Sequence, residues 1–473
     1  MIRKTIILAA TTAVAMNAAS AQSKKNVLFI AVDDLRGDWI SPATGPGSYP
    51  GAITPSIQRL ADKGLTFSRA YTPAPWCNPS RAALLTGIPP WQSGVYHHYE
   101  DHWRESPVLR DAVTLPQYFR QNGYWTVGAG KIFHHSDVAQ DPRSWDEYYP
   151  NQRSCMIWDK PPDGDLPACG TRIRDATFDW AALDRPETEM EDWKVADYVI
   201  KQLKNAEDQE KPFFIACGIW RPHLPWYTPK KYFDLYPLDQ IQVPPQMDGD
   251  LDDIPAIGRR FAAQEVHENL VKAGLVKEAI QAYLASVTFA DECIGRVLDA
   301  LERSPFRDNT IVVLWSDHGW HFGEKNHWEK VALWRPACHS VFQILAPGVT
   351  RPGSRYDQPV SLMDIYPTLV SLAGLPPKDG ISGRDLTPTL ENPGAQAPSP
   401  ALSTLGQGNH SVFTDRWHYI RYKDRSEELY DLQKDPHEWN NLAGNPEWES
   451  VKKELARHVP VPEKEAPPLK VKN

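Results

Sequence analysis

NVLFIAVDD, residues 26–34, reads as a strand that stops at two carboxylates. Its unbroken apolar run is that of a strand buried on both faces, as in a parallel sheet. NTIVVLWSDHG, residues 309–319, repeats the plan and ends in Ser316, Asp317, His318 and Gly319. Further short runs rich in Val, Ile and Phe alternate with amphipathic segments. The expected fold is therefore α/β, with a large, mostly parallel central sheet flanked by helices. In such sheets ligands bind beyond the carboxyl ends of the strands, so the residues that follow each run are the first candidates for chemistry.

Two apolar strands, far apart in sequence, each deliver acids to one edge. Asp33, Asp34 and Asp317 form an oxygen-rich set suited to a hard divalent cation, Ca2+ ahead of Mg2+. His318 widens the choice toward Zn2+ or Mn2+, where imidazole is at home. Two more strands end in bases: WTVGAGKIFHH, 125–135, supplies Lys131 and His134, and KPFFIACGIWRPHLPW, 211–226, supplies His223. GWHFGEKNHWEK, 319–330, adds His321, His327 and Lys330. Lysines and histidines converging on a strand-end cation describe an anion pocket.

CNPSRAALLTG, 77–87, places a cysteine at the start of a helix. Pro79 and Ser80 suit its first turn, Ala82 to Leu85 propagate it, and Gly87 is a natural C-cap. Helix N-termini favour anions, and Arg81 adds a positive charge one turn on. A lone cysteine is more often a small buried hydrophobe, so Cys77 gains meaning only beside the strand-end acids.

The 473-residue chain is long enough for a large domain plus a smaller one, and its 43 prolines predict long, stiff loops. MIRKTIILAATTAVAMNAASAQ has the basic start, apolar run and small-residue ending of a leader cleaved after Ala21, which implies a periplasmic or secreted protein without a membrane anchor. Of six cysteines, Cys155 and Cys169 flank the loop PPDGDLPACG and are candidates for a disulfide, while Cys217, Cys293 and Cys338 read as buried thiols. A net charge of −9 argues against a nucleic-acid partner. Among eighteen tryptophans, Trp103, Trp226 and Trp334 lie near the site motifs and are candidates for stacking on sugar rings. HHYEDHWRES, 97–106, offers His98 and Arg104 to an anionic sugar, with His321 as a further contact.

These strings resemble a family. CNPSR followed by AALLTG resembles the Cys-x-Pro-Ser-Arg signature of type I sulfatases, in which the cysteine is oxidised to formylglycine. The resemblance extends through VDDLRGD, TPSIQRLADKGLTFSRAY, GKIFHH, RPHLPW, SDHGWHFGE and ELYDLQKDPHEWNNLA. GKIFH, PHLPW and SDHGW together resemble the iduronate 2-sulfatase branch.

It implies an alkaline-phosphatase-like α/β sandwich, a catalytic domain over 22–395 and a smaller C-terminal α+β subdomain over 396–473. The boundary would fall in the linker ENPGAQAPSPALST, 391–404. It also implies metal ligation by Asp33, Asp34, Asp317, His318 and residue 77. Arg81, Lys131 and His134 would hold the formylglycine hydrate, and His223 and Lys330 the sulfate and leaving oxygen. The implied partners are a formylglycine-generating enzyme and a sulfated, uronate-containing oligosaccharide or polysaccharide. A phosphate or phosphonate ester hydrolase on the same fold, and a secreted carbohydrate-binding protein with a dead site, are the competing readings.

Overall fold

Eight strands form the central sheet of the computed structural model, which describes residues 24–40, 51–98, 102–134, 141–150, 159, 161–175, 177–394 and 399–469. In chain order they are β1 (Asn26–Val32), β2 (Leu65–Phe67), β3 (Trp125–Gly130), β4 (Glu147–Tyr149), β5 (Phe213–Ile219), β6 (Thr310–Ser316), β7 (Phe342–Leu345) and β8 (Ser354–Tyr356). Their spatial order is β8-β2-β7-β6-β1-β5-β3-β4. β6, β1, β5, β3 and β4 run parallel to one another, whereas β7 is antiparallel to both of its neighbours.

Period-two alternation sends Leu28, Ile30 and Val32 to one face of β1 and Val27, Phe29 and Ala31 to the other. The first set packs with Ile57 and Leu60 of α1 (Pro55–Lys63) and with two longer helices, Glu191–Asn205 and Val276–Arg303. The second packs against α2 (Cys77–Thr86), Leu115–Gln121 and Ile365–Leu372. Both faces are covered, which is why β1 and β6 carry no polar residue in their centres.

The expected C-cap at Gly87 is present: its φ is 72° and its N–H donates to the Ala83 carbonyl. At the end of β3, Gly130 has φ 69°, and a Cβ there would lie 1.9 Å from the Gly218 carbonyl oxygen. Only glycine lets β3 turn this close to β5, and the turn presents Lys131.

The C-terminal subdomain is a four-stranded antiparallel meander of Ala401–Thr404, His410–Phe413, Trp417–Arg421 and Glu427–Asp431. Val412, Tyr419 and Leu429 pack on Leu455 of the helix Glu449–Leu455. The leader with its cleavage site, the boundary at 395/396 and Cys155 lie outside the described residues. Cys169 is a free thiol that donates to the Thr171 carbonyl at 3.1 Å, and Cys217, Cys293 and Cys338 are buried free thiols.

Candidate active site

Because β6, β1, β5 and β3 are parallel neighbours, their carboxyl ends deliver Asp317/His318, Asp33/Asp34, the turn to His223, and Lys131 to one edge. The N-terminus of α2 points Cys77 into the same place. Cys77 Sγ lies 3.2 Å from His318 Nε2 and 3.9 Å from Asp34 Oδ1. Lys330 Nζ donates to Asp34 Oδ1 at 2.6 Å and to Cys77 Sγ at 3.3 Å.

Arg81, fully buried, ties the acids together. Its Nε donates to Asp317 Oδ2 at 2.8 Å, its Nη2 to Asp33 Oδ1 at 3.1 Å, and its Nη1 to the Lys131 and Ile132 carbonyls. Lys131 Nζ pairs with Asp33 Oδ2 and sits 4.3 Å above the Trp220 ring. Ser80 donates to the Asp317 carbonyl at 2.7 Å, so Cys77, Ser80 and Arg81, spaced i, i+3 and i+4, act from one helix face.

Burial alone would push Asp33 up, but Lys131 and Arg81 outweigh it and hold the carboxyl well below the usual range. Asp34 goes the other way: burial, reinforced by its neighbour Asp33, raises it to about 6 against the pull of Lys330. Burial and the charge of Asp33 push the Cys77 thiol well above its ordinary value, so as a cysteine it is a protonated, weak nucleophile. Burial and the two lysines hold His223 and His98 well below the usual imidazole range.

One ligand atom each from Asp33, Asp34, Cys77 and His318 falls within 4.8 Å of the others. Asp34 Oδ2 is buried and has no hydrogen-bond partner among the described residues. An unpaired carboxylate oxygen inside such a set fits a divalent cation. Asp317 borders the group, accepting from the Asp34 and His318 N–H groups through Oδ1.

Above this floor opens a cavity of about 560 Å³ lined by Asp34, His98, His223 and Lys330 together with Trp76, Phe261, Arg174 and Arg260. His134 stacks on His98 with centroids 4.3 Å apart. His223 Nδ1 donates to the Leu224 carbonyl at 2.6 Å, which leaves Nε2 toward Asp34 Oδ2 at 4.0 Å.

Five residues read as sugar contacts do not line the cavity. Arg104 is taken by Asp141 at 2.7 Å and by the Leu109 carbonyl, well supplied without a ligand. Trp226 is fully buried, its indole N–H donating to Pro222, and Trp103 and Trp334 are buried as well. His321 is buried against His327 and the Glu329 carbonyl. The aromatic walls are instead Trp76, adjacent to the CNPSR string, Phe261 and Trp320. Sequence reading also missed Tyr283, whose hydroxyl donates to the Asp34 carbonyl at 2.9 Å and accepts from Arg36 N–H at 3.0 Å. It holds Asp34 at φ 60°, a left-handed conformation unusual for a side-chain-bearing residue. Nothing in a long amphipathic helix marks one tyrosine for that task.

This chemistry and fold meet in one family. The Sulfatase family model matches residues 25–375, and the model described as N-sulphoglucosamine sulphohydrolase, C-terminal, matches 323–464. The chain belongs to the sulfatase family, whose members are sulfuric ester hydrolases. A sulfatase of Formosa agariphila is 38% identical over 92% of this chain and 86% of its own length. The human iduronate 2-sulfatase is 30% identical over 75% of this chain and 70% of its own. A protein solved in complex with its substrate D-glucosamine-2-N,6-O-disulfate shares the fold with a TM-score of 0.70, at 21% identity, covering 92% of this chain and 96% of that one.

Proposed function

We propose that this sulfatase acts outside the cytoplasm on sulfate esters of an anionic, uronate-containing carbohydrate, with Cys77 converted to formylglycine by a maturation enzyme. A divalent cation, Ca2+ first, would be held by Asp33, Asp34, Asp317, His318 and residue 77. The observation that carries the reading is the seat of Cys77: first residue of a buried helix, within reach of Asp34, His318 and Lys330, at the foot of the cavity. The leader-like N-terminal sequence supports export. Among the described residues no helix is long and apolar enough to cross a membrane.

When present, the cation acidifies a hydroxyl on residue 77, and formylglycine, as its hydrate, offers two such hydroxyls. The chain's own groups do the rest. Arg81 locks Asp33 and Asp317 in register, and Lys131 neutralises Asp33. Lys330, beside residue 77 at the foot of the cavity, meets the sulfate charge. His223 Nε2 faces the cavity; an anionic ester beside it favours the imidazolium, which can then protonate the leaving oxygen. Trp76 and Phe261 supply flat apolar walls for a sugar ring. Carbohydrate names among the relatives, iduronate 2-sulfatase and a glucosamine disulfate complex, agree with that substrate class.

The test pairs mass spectrometry of the peptide containing residue 77 with turnover of 4-nitrophenyl sulfate and 4-nitrophenyl phosphate. A formylglycine mass and preference for the sulfate are expected. Preference for the phosphate would transfer the protein to phosphate-ester chemistry, and an unmodified, inactive cysteine would make it a binding protein.

A further inference from the structure

The cavity wall carries three long cations, and two of them are already paired. Lys330 is held by Asp34, and Arg174 forms an ion pair with Glu329 while its Nε donates to Asp175 at 3.0 Å. Arg260 is different. It is exposed, lies in the last turn of the helix Ala256–Phe261, and makes no hydrogen bond or ion pair among the described residues; it acts on Asp424 only through space.

The backbone segment that carries it is tied to that of Lys330. His327 is buried between the two segments, one ring nitrogen against the Ala262 carbonyl and the other against the Lys330 carbonyl at 2.8 Å. The backbone is strained on both sides of this clamp: Ala263 has φ 43°, Glu329 φ 76° and Val331 φ 69°. For a β-branched valine that conformation is costly and persists only where the surroundings enforce it.

We propose that Arg260 is a specificity-determining residue that holds a second anionic group of the substrate, a carboxylate or a further sulfate, while Lys330 meets the ester being cleaved. The proposal rests on the sulfatase reading and narrows its substrate class to saccharides bearing at least two negative charges. A cavity of about 560 Å³ has room for a sugar ring beyond the sulfate itself. A guanidinium with no internal partner is the group best able to bind a planar carboxylate or a sulfate bidentately.

The experiment uses the full chain as wild type, Arg260→Ala and Arg260→Lys. Three probes are compared: 4-nitrophenyl sulfate with one charge, a sulfated uronate disaccharide, and the same disaccharide with its carboxylate reduced. A disulfated glucosamine gives the two-sulfate arm. Arg260→Ala should lower the ratio of kcat/KM for the doubly charged over the singly charged probes by about tenfold or more, chiefly through KM, with partial return in Arg260→Lys. Loss confined to the uronate arm identifies a carboxylate, and loss confined to the disulfate identifies a sulfate. Calorimetric Kd values on Cys77→Ala backgrounds read the same preference without turnover. They keep the question open to decision even if wild type prefers the phosphate ester. An unchanged ratio, in turnover and in Kd, overturns the proposal.

Discussion

Two buried clusters of charge in this molecule are built alike and finished differently. At the seam between the C-terminal meander and the catalytic unit, Arg36 pairs with Asp38 and Glu324 at 2.6 Å each, and Lys325 pairs with Asp250. Glu438 takes His418 and the Arg335 N–H, and Glu428 accepts from Trp334, Tyr422 and Tyr430. Each of these acids is answered by donors. At the active site the same residue types leave Asp34 Oδ2 without a partner, hold Asp34 in a left-handed backbone and open onto a cavity. A buried charge that is fully matched contributes shape; one left unmatched beside a cavity is kept for a ligand.

The sharpest way to break the comparison is at residue 77. Cys77→Ser keeps one hydroxyl on the helix but removes the geminal one, so we expect at most one turnover, a steady-state loss of at least about 10⁴-fold and a sulfate adduct on that peptide. Multiple turnover near the wild-type rate would remove formylglycine from the mechanism. Chelation comes next. Activity should vanish and return with Ca2+, whereas the seam, which needs no ion, should keep the chain folded by circular dichroism. Full activity after metal stripping would show that Asp34 Oδ2 is not kept for a cation.

His223→Ala tests the cavity side: alkyl sulfates should lose about 10²–10³-fold, and 4-nitrophenyl sulfate much less, because nitrophenolate leaves without a proton. Equal losses would make His223 a sulfate-binding group. At the seam, Asp250→Asn removes the only carboxylate paired with Lys325 among the described residues, leaving it the Glu438 carbonyl, and should cost about 3 kcal/mol in denaturant unfolding, with kcat of the folded fraction nearly intact. A large fall in kcat with little change in stability would erase the distinction between the clusters.

The smallest effect concerns acid. Buried His339 donates its Nε2–H to the Ser68 carbonyl at 2.9 Å, and faces Asp38, Arg335 and Arg36; burial first, and the two arginines, lower it from 6.5 to about 4. The unfolded chain therefore binds the extra proton first. Stability from this group is complete above pH 6.5 and lost as pH falls toward 4, by about 3 kcal/mol at most. His339→Gln should flatten the pH dependence of the unfolding midpoint in that window; an unchanged slope would assign it to other groups.

Which residues are chemical was legible because chemistry leaves local marks. Apolar runs ending in Asp33/Asp34 and Asp317/His318 announced strand ends, and parallel strands bring such ends to one edge. CNPSR announced a helix start by proline placement and capping. Of the residues read as sugar contacts, His98 lines the cavity, but Trp103, Trp226 and Trp334 lie near the motifs in sequence yet are buried, and Arg104 is consumed by Asp141. A large aromatic or an arginine satisfies core and ligand equally well, so its type does not say which it serves.

By itself the sequence determined the α/β class, the strand-end acids, the helix bearing Cys77 and Arg81, and the family. Tertiary structure alone decided that Tyr283 holds Asp34, that His327 ties the Arg260 segment to Lys330, and that Trp76, Phe261 and Trp320 rather than Trp103, Trp226 or Trp334 wall the cavity. The physical reason is range. Backbone periodicity and capping act over a few residues and are written locally, whereas which side chain is left exposed or unpaired depends on partners hundreds of residues away.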